Sequence, residues 1–165
     1  MTSYNINLVY YKNYIFQKLR YIVLVIPSLF VYLPTLLFPV TQNIGSEISF
    51  RPPGYVFAIV WPILLVLLGI SWFSSLQVIY LVNIKYLILV TLLGIWFILY
   101  NFNKVIGLID IILALLTSLY LLSINVYKSN RIGYLTIIPL IIWLNFASIL
   151  NIASILIVNE YENIQ

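Results

Sequence analysis

The sequence predicts an all-α protein, an integral membrane bundle of five transmembrane helices. Hydrophobic residues make up 64% of the chain and charged residues 7%, whereas soluble domains contain about 45–50% apolar and roughly 25% charged residues. So few charges cannot cover a water-exposed surface, and the mean hydropathy of +1.10 agrees with this. The apolar residues fall into five runs, each near the roughly 20 residues that a helix needs to cross a hydrocarbon core of about 30 Å.

The five predicted helices lie between polar breaks in the sequence. In chain order, the predicted spans are residues 21–40, 53–76, 85–102, 105–126 and 132–158. A single helix replacing the second and third spans would be far longer than one bilayer requires, so we predict a tight turn among the polar residues at 77–85. Prolines inside the spans are tolerated in a membrane, because neighbouring helices and waters satisfy the carbonyls that proline leaves free. The bundle is predicted to occupy residues 21–160, between a basic, aromatic tail at 1–20 and a short acidic tail at 161–165.

Charged residues are distributed unequally between the two ends of the predicted helices. With five spans, the end that carries the N-terminus holds basic residues and no acidic one: Lys12, Lys18, Arg20, Lys85, Lys128 and Arg131. The opposite end holds residues of both signs: Arg51, Lys104, Glu47, Asp110, Glu160 and Glu162. Because basic loops are retained in the cytoplasm, we predict a cytoplasmic N-terminus and an external C-terminus.

The absence of Cys and His excludes several kinds of chemistry. The chain has no thiolate nucleophile, disulfide or thiolate metal ligand, and no imidazole for general base catalysis or haem ligation. We predict no catalytic residue, no metal site and no bound cofactor. The basic residues are spread along the chain, whereas nucleic-acid binding needs local cationic density. We therefore predict no nucleic-acid partner, and the lipid bilayer is the predicted partner.

The second predicted helix begins with a motif of two prolines and regularly spaced aromatic residues. Pro52 and Pro53 hold the chain extended at the helix entry, and a proline is favourable as the first helical residue. Phe57 and Trp61 are four residues apart and share one face, and Gly69, two turns further on, allows close approach of a neighbouring helix. These residues fit a ligand site, although spacing alone favours an aromatic anchor at the membrane interface.

The fifth predicted helix carries a second motif on one face. Pro139, Trp143, Phe146, Ala147 and Asn151 recur at intervals that place them on a single stripe. An indole, a small residue and a buried amide suit a flat hydrophobic ligand. They equally suit helix packing, with the amide of Asn151 hydrogen-bonded across helices. Spacing alone favours packing.

Together the two motifs resemble the translocator protein family, also called the tryptophan-rich sensory proteins or peripheral benzodiazepine receptors. The family's first signature is a Pro-Pro-Gly-Trp-Val-Phe entry followed by Val-Trp and a Gly. It stands here as Pro52, Pro53, Gly54, Tyr55, Val56, Phe57, Val60, Trp61 and Gly69. The second signature, in the last helix, stands here as Pro139, Leu140, Ile141, Trp143, Phe146, Ala147, Leu150 and Asn151. Trp96 matches the tryptophan of the third helix, and the resemblance covers about residues 45–160.

This resemblance implies a membrane receptor or transporter-like protein that binds porphyrins or related haem-type tetrapyrroles, with sterols as a second ligand class, in a pocket within the bundle. The implied ligand-binding residues are Pro52, Pro53, Phe57, Trp61, Trp96, Trp143, Phe146, Ala147 and Asn151. Two alternatives stay open, a light-dependent porphyrin-degrading enzyme and a membrane scaffold protein that has lost ligand binding. A homodimer also stays open as a partner.

The sequence departs from the family pattern at several aromatic positions. The first loop, residues 41–50, lacks the family's Trp-Tyr pair. Tyr55 replaces the entry tryptophan, and Leu65 and Leu140 each stand where the family has a tyrosine. The resemblance therefore predicts that the helix-borne part of the pocket is retained and that the part supplied by the loop is altered.

Asp110 is the one acidic residue within a predicted span. An acid inside a membrane is often a proton or ligand partner. The alternative is a carboxylate that caps the fourth helix at the membrane interface, where the helix dipole favours negative charge. The nearby Lys104 favours this second interpretation.

Overall fold

The computed structural model describes residues 20–37, 48–76 and 82–162. In these residues a short 3-10 helix (Arg20–Leu24) precedes five α-helices: α1 (Ile26–Leu37), α2 (Gly54–Ser75), α3 (Val82–Phe102), α4 (Lys104–Tyr127) and α5 (Arg131–Glu162). Four of them, α2 to α5, are long and apolar enough to cross a membrane. The predicted all-α membrane bundle is confirmed.

The first predicted span, residues 21–40, is divided in the structure between the 3-10 helix and the 12-residue α1. The other helices differ from the predicted spans mainly at their ends. The predicted N-terminal tail up to residue 19, and residues 38–40 of the first span, lie outside the described residues. α3 begins at Val82, before the predicted start at Lys85, because the polar Asn83 is accommodated within its first turn. The Asn83 Oδ1 accepts a 2.9 Å hydrogen bond from the indole Nε1 of Trp72 on α2. α5 continues to Glu162, into the segment predicted as a tail, and residues 163–165 are not among those described.

Contacts between the helices place them in a closed ring in the order α1, α2, α5, α4, α3, with α3 returning to α1. The centre is filled by large apolar side chains from four of the helices, including Leu68, Tyr86, Leu121 and Leu144. Large hydrophobic side chains also cover the outward faces, among them Val66, Leu116 and Ile142. An apolar exterior is what a surface that faces lipid requires.

Gly69 of α2 lies directly against the backbone of the 3-10 helix. A Cβ atom at this position would be 2.6 Å from the carbonyl oxygen of Leu24. Any residue larger than glycine would therefore push the two segments apart. The close helix approach predicted at Gly69 is confirmed.

One end of the bundle is held by a network of buried and half-buried hydroxyl and amide groups, which we call the polar clasp: Ser71, Ser75, Tyr86, Asn125 and Asn130. Ser71 and Tyr86 oxygens are 2.7 Å apart, and Ser75 Oγ donates to Asn125 Oδ1 at 2.8 Å. Asn125 Nδ2 donates to the Tyr86 hydroxyl at 3.0 Å, and Asn130 Nδ2 donates to Asn125 Oδ1 at 2.7 Å. Because buried polar groups without partners are costly in an apolar medium, the clasp fixes the relative positions of α2, α3, α4 and the turn that leads into α5.

Candidate functional site

The two sequence motifs meet in the half of the bundle opposite the polar clasp. Phe57, in the first turn of α2, contacts Trp143 of α5 edge to face, with ring centroids 5.5 Å apart and ring planes at 73°. Phe146 continues the row, with its ring 5.6 Å from that of Trp143. Edge-to-face pairs at such distances are favourable beyond their burial. We call the row formed by Phe57, Trp143 and Phe146 the aromatic wall.

The loop that enters α2 packs onto the bundle through Ile48, whose side chain is buried. The backbone N–H of Arg51 donates a 3.1 Å hydrogen bond to the carbonyl of Ile48. Pro53, with φ −56° and ψ 151°, is the N-cap residue, and α2 begins at Gly54. Pro52 and Pro53 therefore lie at the helix entry as predicted, and they hold it extended. Pro53 is the N-cap residue and not the first residue of the helix, which begins one residue after the predicted start.

Arg51 is the residue of this loop that sequence reasoning did not select. The centre of its guanidinium group lies 5.2 Å from the centroid of the Phe57 ring, a cation–π contact. The sequence does carry a signal, a cation directly before the Pro-Pro entry, but the same arginine also fits the charge pattern that indicates membrane orientation.

Trp61 lies one turn beyond Phe57, is half-buried and packs against the hydrophobic core. Tyr55, where the family has a tryptophan, is 66% exposed on the outer surface of α2. Its replacement therefore does not alter the inner face of the helix. That Trp61 and Trp143 line one common pocket, as the family resemblance implies, stays a prediction.

Trp96 of α3 is half-buried beside Tyr100, with ring centroids 5.3 Å apart. Its indole Nε1 is buried and has no hydrogen-bond partner among the described residues. The Tyr100 hydroxyl, by contrast, donates a 2.7 Å hydrogen bond to Ser154 Oγ on α5. Trp96 thus offers a buried N–H donor that no described residue uses.

The motif on α5 buries both Ala147 and Asn151, the latter with 3% of its surface exposed. The Asn151 Nδ2 donates to the carbonyl of Ala147 on the same helix at 2.7 Å, and its Oδ1 is buried without a partner in the described structure. The hydrogen bond to another helix that the packing alternative would give this amide is not formed among the described residues. The amide N–H bonds a carbonyl of its own helix, and the amide oxygen is left without a partner from the described residues.

Asp110 does not cap α4. The N-cap residue is Asn103, whose Oδ1 accepts hydrogen bonds from the backbone N–H groups of Val105 at 2.8 Å and Ile106 at 3.2 Å. Asp110 lies about two turns further in, is 3% exposed, and its Oδ2 is buried without a hydrogen-bond partner in the part of the chain described. The sequence signal for the correct cap was present, because an asparagine directly before an apolar helical run is a typical N-cap.

The three unpartnered atoms lie at a similar depth on adjacent helices. Gly107 of α4 brings α3 close, since a Cβ atom there would be 2.8 Å from the Cα of Tyr100. Tyr100 in turn bonds Ser154, so these three residues form one layer. The residues with unpartnered atoms are Trp96, Asp110 and Asn151. Each lies three or four residues further into its helix than one member of the layer, on about the same helix face, so the three residues occupy a similar level on α3, α4 and α5.

This half of the bundle therefore offers aromatic surfaces and a few polar atoms that have no partner among the described residues. One indole N–H can donate, and the oxygens of Asp110 and Asn151 can accept. Small-molecule sites typically have this composition, mostly apolar with a small number of polar groups that fix orientation. The described residues contain no group of His, Cys, Asp or Glu side chains suited to hold a metal ion.

Comparison with protein families finds a match to the TspO/MBR family over residues 42–156. The matched segment is more than half of the 165 residues and includes both motifs as well as Trp96 and Asp110. Comparisons with the curated proteins and with the solved structures find no match. The resemblance predicted from the two motifs is confirmed, and the chain belongs to the TspO/MBR family, the family of the translocator proteins.

Proposed function

We propose that this protein is a membrane receptor or transporter-like protein that binds a porphyrin or a related tetrapyrrole within its helix bundle. Membership in the TspO/MBR family supports, in general, a translocator-type membrane role in which tetrapyrroles or sterols are bound. The observation that carries the proposal is the edge-to-face contact between Phe57 and Trp143. It joins the two family motifs, which lie far apart in the sequence, in one aromatic wall.

A planar macrocycle suits this arrangement on physical grounds. Flat aromatic ligands gain favourable contacts from indole and phenyl rings, and the aromatic wall supplies them at the boundary between α2 and α5. The proposed lining residues are Pro52, Pro53, Phe57, Trp61, Trp96, Trp143, Phe146, Ala147 and Asn151. In this proposal the loop that carries the two prolines closes the pocket at the ends of the helices.

The polar atoms deeper in the bundle support a ligand that is apolar over most of its surface but carries a few heteroatoms. Leaving a buried donor or acceptor without a partner costs about 1–3 kcal/mol. The unpartnered atoms of Trp96, Asp110 and Asn151 would regain partners from nitrogen or oxygen atoms of a bound molecule. A sterol offers a single hydroxyl and no aromatic face, so we place sterols second to tetrapyrroles.

Titration of the purified full-length protein in detergent tests the proposal. We expect protoporphyrin to quench tryptophan fluorescence saturably in the micromolar range, and to do so more strongly than cholesterol perturbs it. Trp143→Phe should weaken binding, because it removes the indole of the aromatic wall. Trp72→Phe is the matched control, since Trp72 hydrogen-bonds Asn83 near the polar clasp, at the other end of the bundle. The absence of saturable quenching would contradict the proposal and favour a scaffold protein.

We also propose the orientation that the charge distribution predicts, with the N-terminus in the cytoplasm. In that orientation the polar clasp lies at the cytoplasmic end, because α2 and α4 end there and α3 and α5 begin there. The entry loop and the aromatic wall lie towards the opposite side of the membrane. A ligand would then enter from the external side.

A further inference from the structure

Arg51 stands at the boundary between the entry loop and the membrane helices. It is half-buried, and its charge lies 5.2 Å from the centroid of Phe57. Phe57 in turn contacts Trp143 at 5.5 Å. A fixed positive charge therefore adjoins the aromatic wall at the end where α2 begins.

The position of Arg51 is restricted by its surroundings. Its backbone N–H is bonded to the carbonyl of Ile48, and Ile48 is itself buried against the bundle. The two prolines that follow limit the backbone on the other side. A group held in place before binding loses less conformational entropy when a ligand arrives.

Among the residues that the structure describes, none carries a charge paired with the Arg51 guanidinium group, and its charged contact is with the Phe57 ring. Asp110, whose carboxylate has an unpartnered oxygen, lies on α4 and not on the helix that Arg51 precedes. A guanidinium that stacks on a ring by its face can still donate two parallel hydrogen bonds by its edge, which matches the geometry of a carboxylate.

We propose that Arg51 binds a carboxylate group of the ligand, so that the site selects planar aromatic molecules that carry an acid at their edge. The inference rests on the proposed function and adds a specificity determinant to it. The apolar body lies along the aromatic wall, and the acid stays at the entry, near water. An uncharged ligand of the same shape loses this interaction.

Two porphyrins that differ only in their acids test the proposal. Protoporphyrin carries two carboxylates, and its dimethyl ester has the same ring with no charge. Both are titrated against the full-length protein in discs of uncharged lipid. We expect the diacid to bind about tenfold or more tightly than the diester, the range expected for a hydrogen bond between charged groups.

Variants of Arg51 test whether ligand binding depends on the charge of this side chain or on its shape. Arg51→Gln should reduce affinity for the diacid by about tenfold or more and leave affinity for the diester unchanged. Arg51→Lys should retain part of the preference, since a lysine keeps the charge but not the two-point geometry. Arg131→Gln is the matched control, because Arg131 is an exposed arginine at the start of α5, at the other end of the bundle. The melting temperature of each variant shows that it is folded.

The outcomes distinguish this inference from the proposed function. If the wild-type protein binds both porphyrins equally and Arg51→Gln changes neither, the inference is overturned while the proposed function stands. That result would be expected if Arg51 serves lipid headgroups. An equal loss for diacid and diester in Arg51→Gln also overturns it, because it would show a role in shape alone. If the wild-type protein binds neither porphyrin, the proposed function itself fails.

Discussion

The hydroxyl of Tyr100 donates a 2.7 Å hydrogen bond to Ser154 Oγ and thereby joins α3 to α5, two helices that both pack against α4. The bond lies one turn above Trp96, Asp110 and Asn151, the residues with unpartnered atoms. Gly107 makes the layer compact by admitting Tyr100 close to α4. This hydrogen bond therefore sets the spacing of the helices at the level directly above the candidate site.

Replacement of Tyr100 by Phe should lower stability slightly without unfolding the protein. Hydrogen bonds between membrane helices contribute about 0.6 kcal/mol on average and up to about 1.7 kcal/mol. We expect a decrease of this size in the free energy of unfolding, measured by circular dichroism in detergent. Tyr120→Phe is the control, since Tyr120 is exposed and the aromatic ring is retained. Equal losses in the two variants would show that the Tyr100–Ser154 bond contributes nothing specific.

Asp110→Asn should leave stability unchanged or raise it. A charged side chain at the centre of a membrane helix costs about 2.5–3.5 kcal/mol on insertion scales, and the Oδ2 of Asp110 is buried without a partner among the described residues. Asn103→Ala, in contrast, removes the N-cap of α4 and should cost about 1 kcal/mol. Thermal unfolding of the two variants in the same detergent makes the comparison. A loss in Asp110→Asn as large as that in Asn103→Ala would assign Asp110 a structural role.

Asn125→Leu should destabilise the protein more than Tyr100→Phe does. Asn125 bonds three other members of the polar clasp, Ser75, Tyr86 and Asn130, and each group left unsatisfied costs about 1–3 kcal/mol. Asn145→Leu is the matched control, because Asn145 is exposed and its amide bonds the carbonyl of Ile141 on its own helix. If both variants melt at the wild-type temperature, the clasp does not hold this end of the bundle.

The helices were predictable from sequence because the thickness of a bilayer imposes one length on every apolar run. The positions of Phe57 and Trp143 on their own helices also followed from the helical period. Their mutual contact did not, because periodicity within one helix carries no information about which helices are neighbours. That contact depends on α2 and α5 being adjacent in the ring, an order that only the folded structure shows.

The sequence did not predict the polar clasp, and the reason is related. Ser71, Ser75, Tyr86, Asn125 and Asn130 are scattered over the sequence, and each alone is an ordinary polar residue near a helix end. They become a network only when four helix ends converge. The capping role predicted for Asp110 was wrong for another reason. Its charge favours a helix N-terminus, but Asn103, seven residues earlier and directly before the helix, has the better capping chemistry.

The orientation can be tested with single cysteines, because the native chain has none. Ser49, in the loop before α2, and Ser129, in the turn between α4 and α5, are both exposed. We expect a membrane-impermeant thiol reagent to label Ser49→Cys in intact cells, and Ser129→Cys only in inverted vesicles. Labelling with the opposite sidedness would reverse the orientation. Labelling of both from one side would contradict the bundle topology.

The last prediction is that the protein binds protoporphyrin but degrades it poorly in light. The aromatic residues on helices α2 and α5 are retained and packed together. The first loop, however, has neither Trp nor Tyr between residues 41 and 50. Losing a buried aromatic contact costs about 1.5–3 kcal/mol, and each ~1.4 kcal/mol is tenfold in affinity. Binding should weaken, but the contacts on the helices should preserve it.

The missing loop aromatic residues should reduce the rate of light-dependent degradation more than they reduce binding affinity. Degradation requires the macrocycle to be held in a close, fixed geometry with water excluded, and those are the conditions that a loop closing over the pocket provides. An illuminated time course of the protein with protoporphyrin, followed by absorbance, measures the loss of the macrocycle. We expect the wild-type rate to equal that of Trp143→Phe at matched saturation. A faster rate in the wild-type protein would mean that the Trp143 indole takes part in the reaction, and it would favour the enzyme over the receptor.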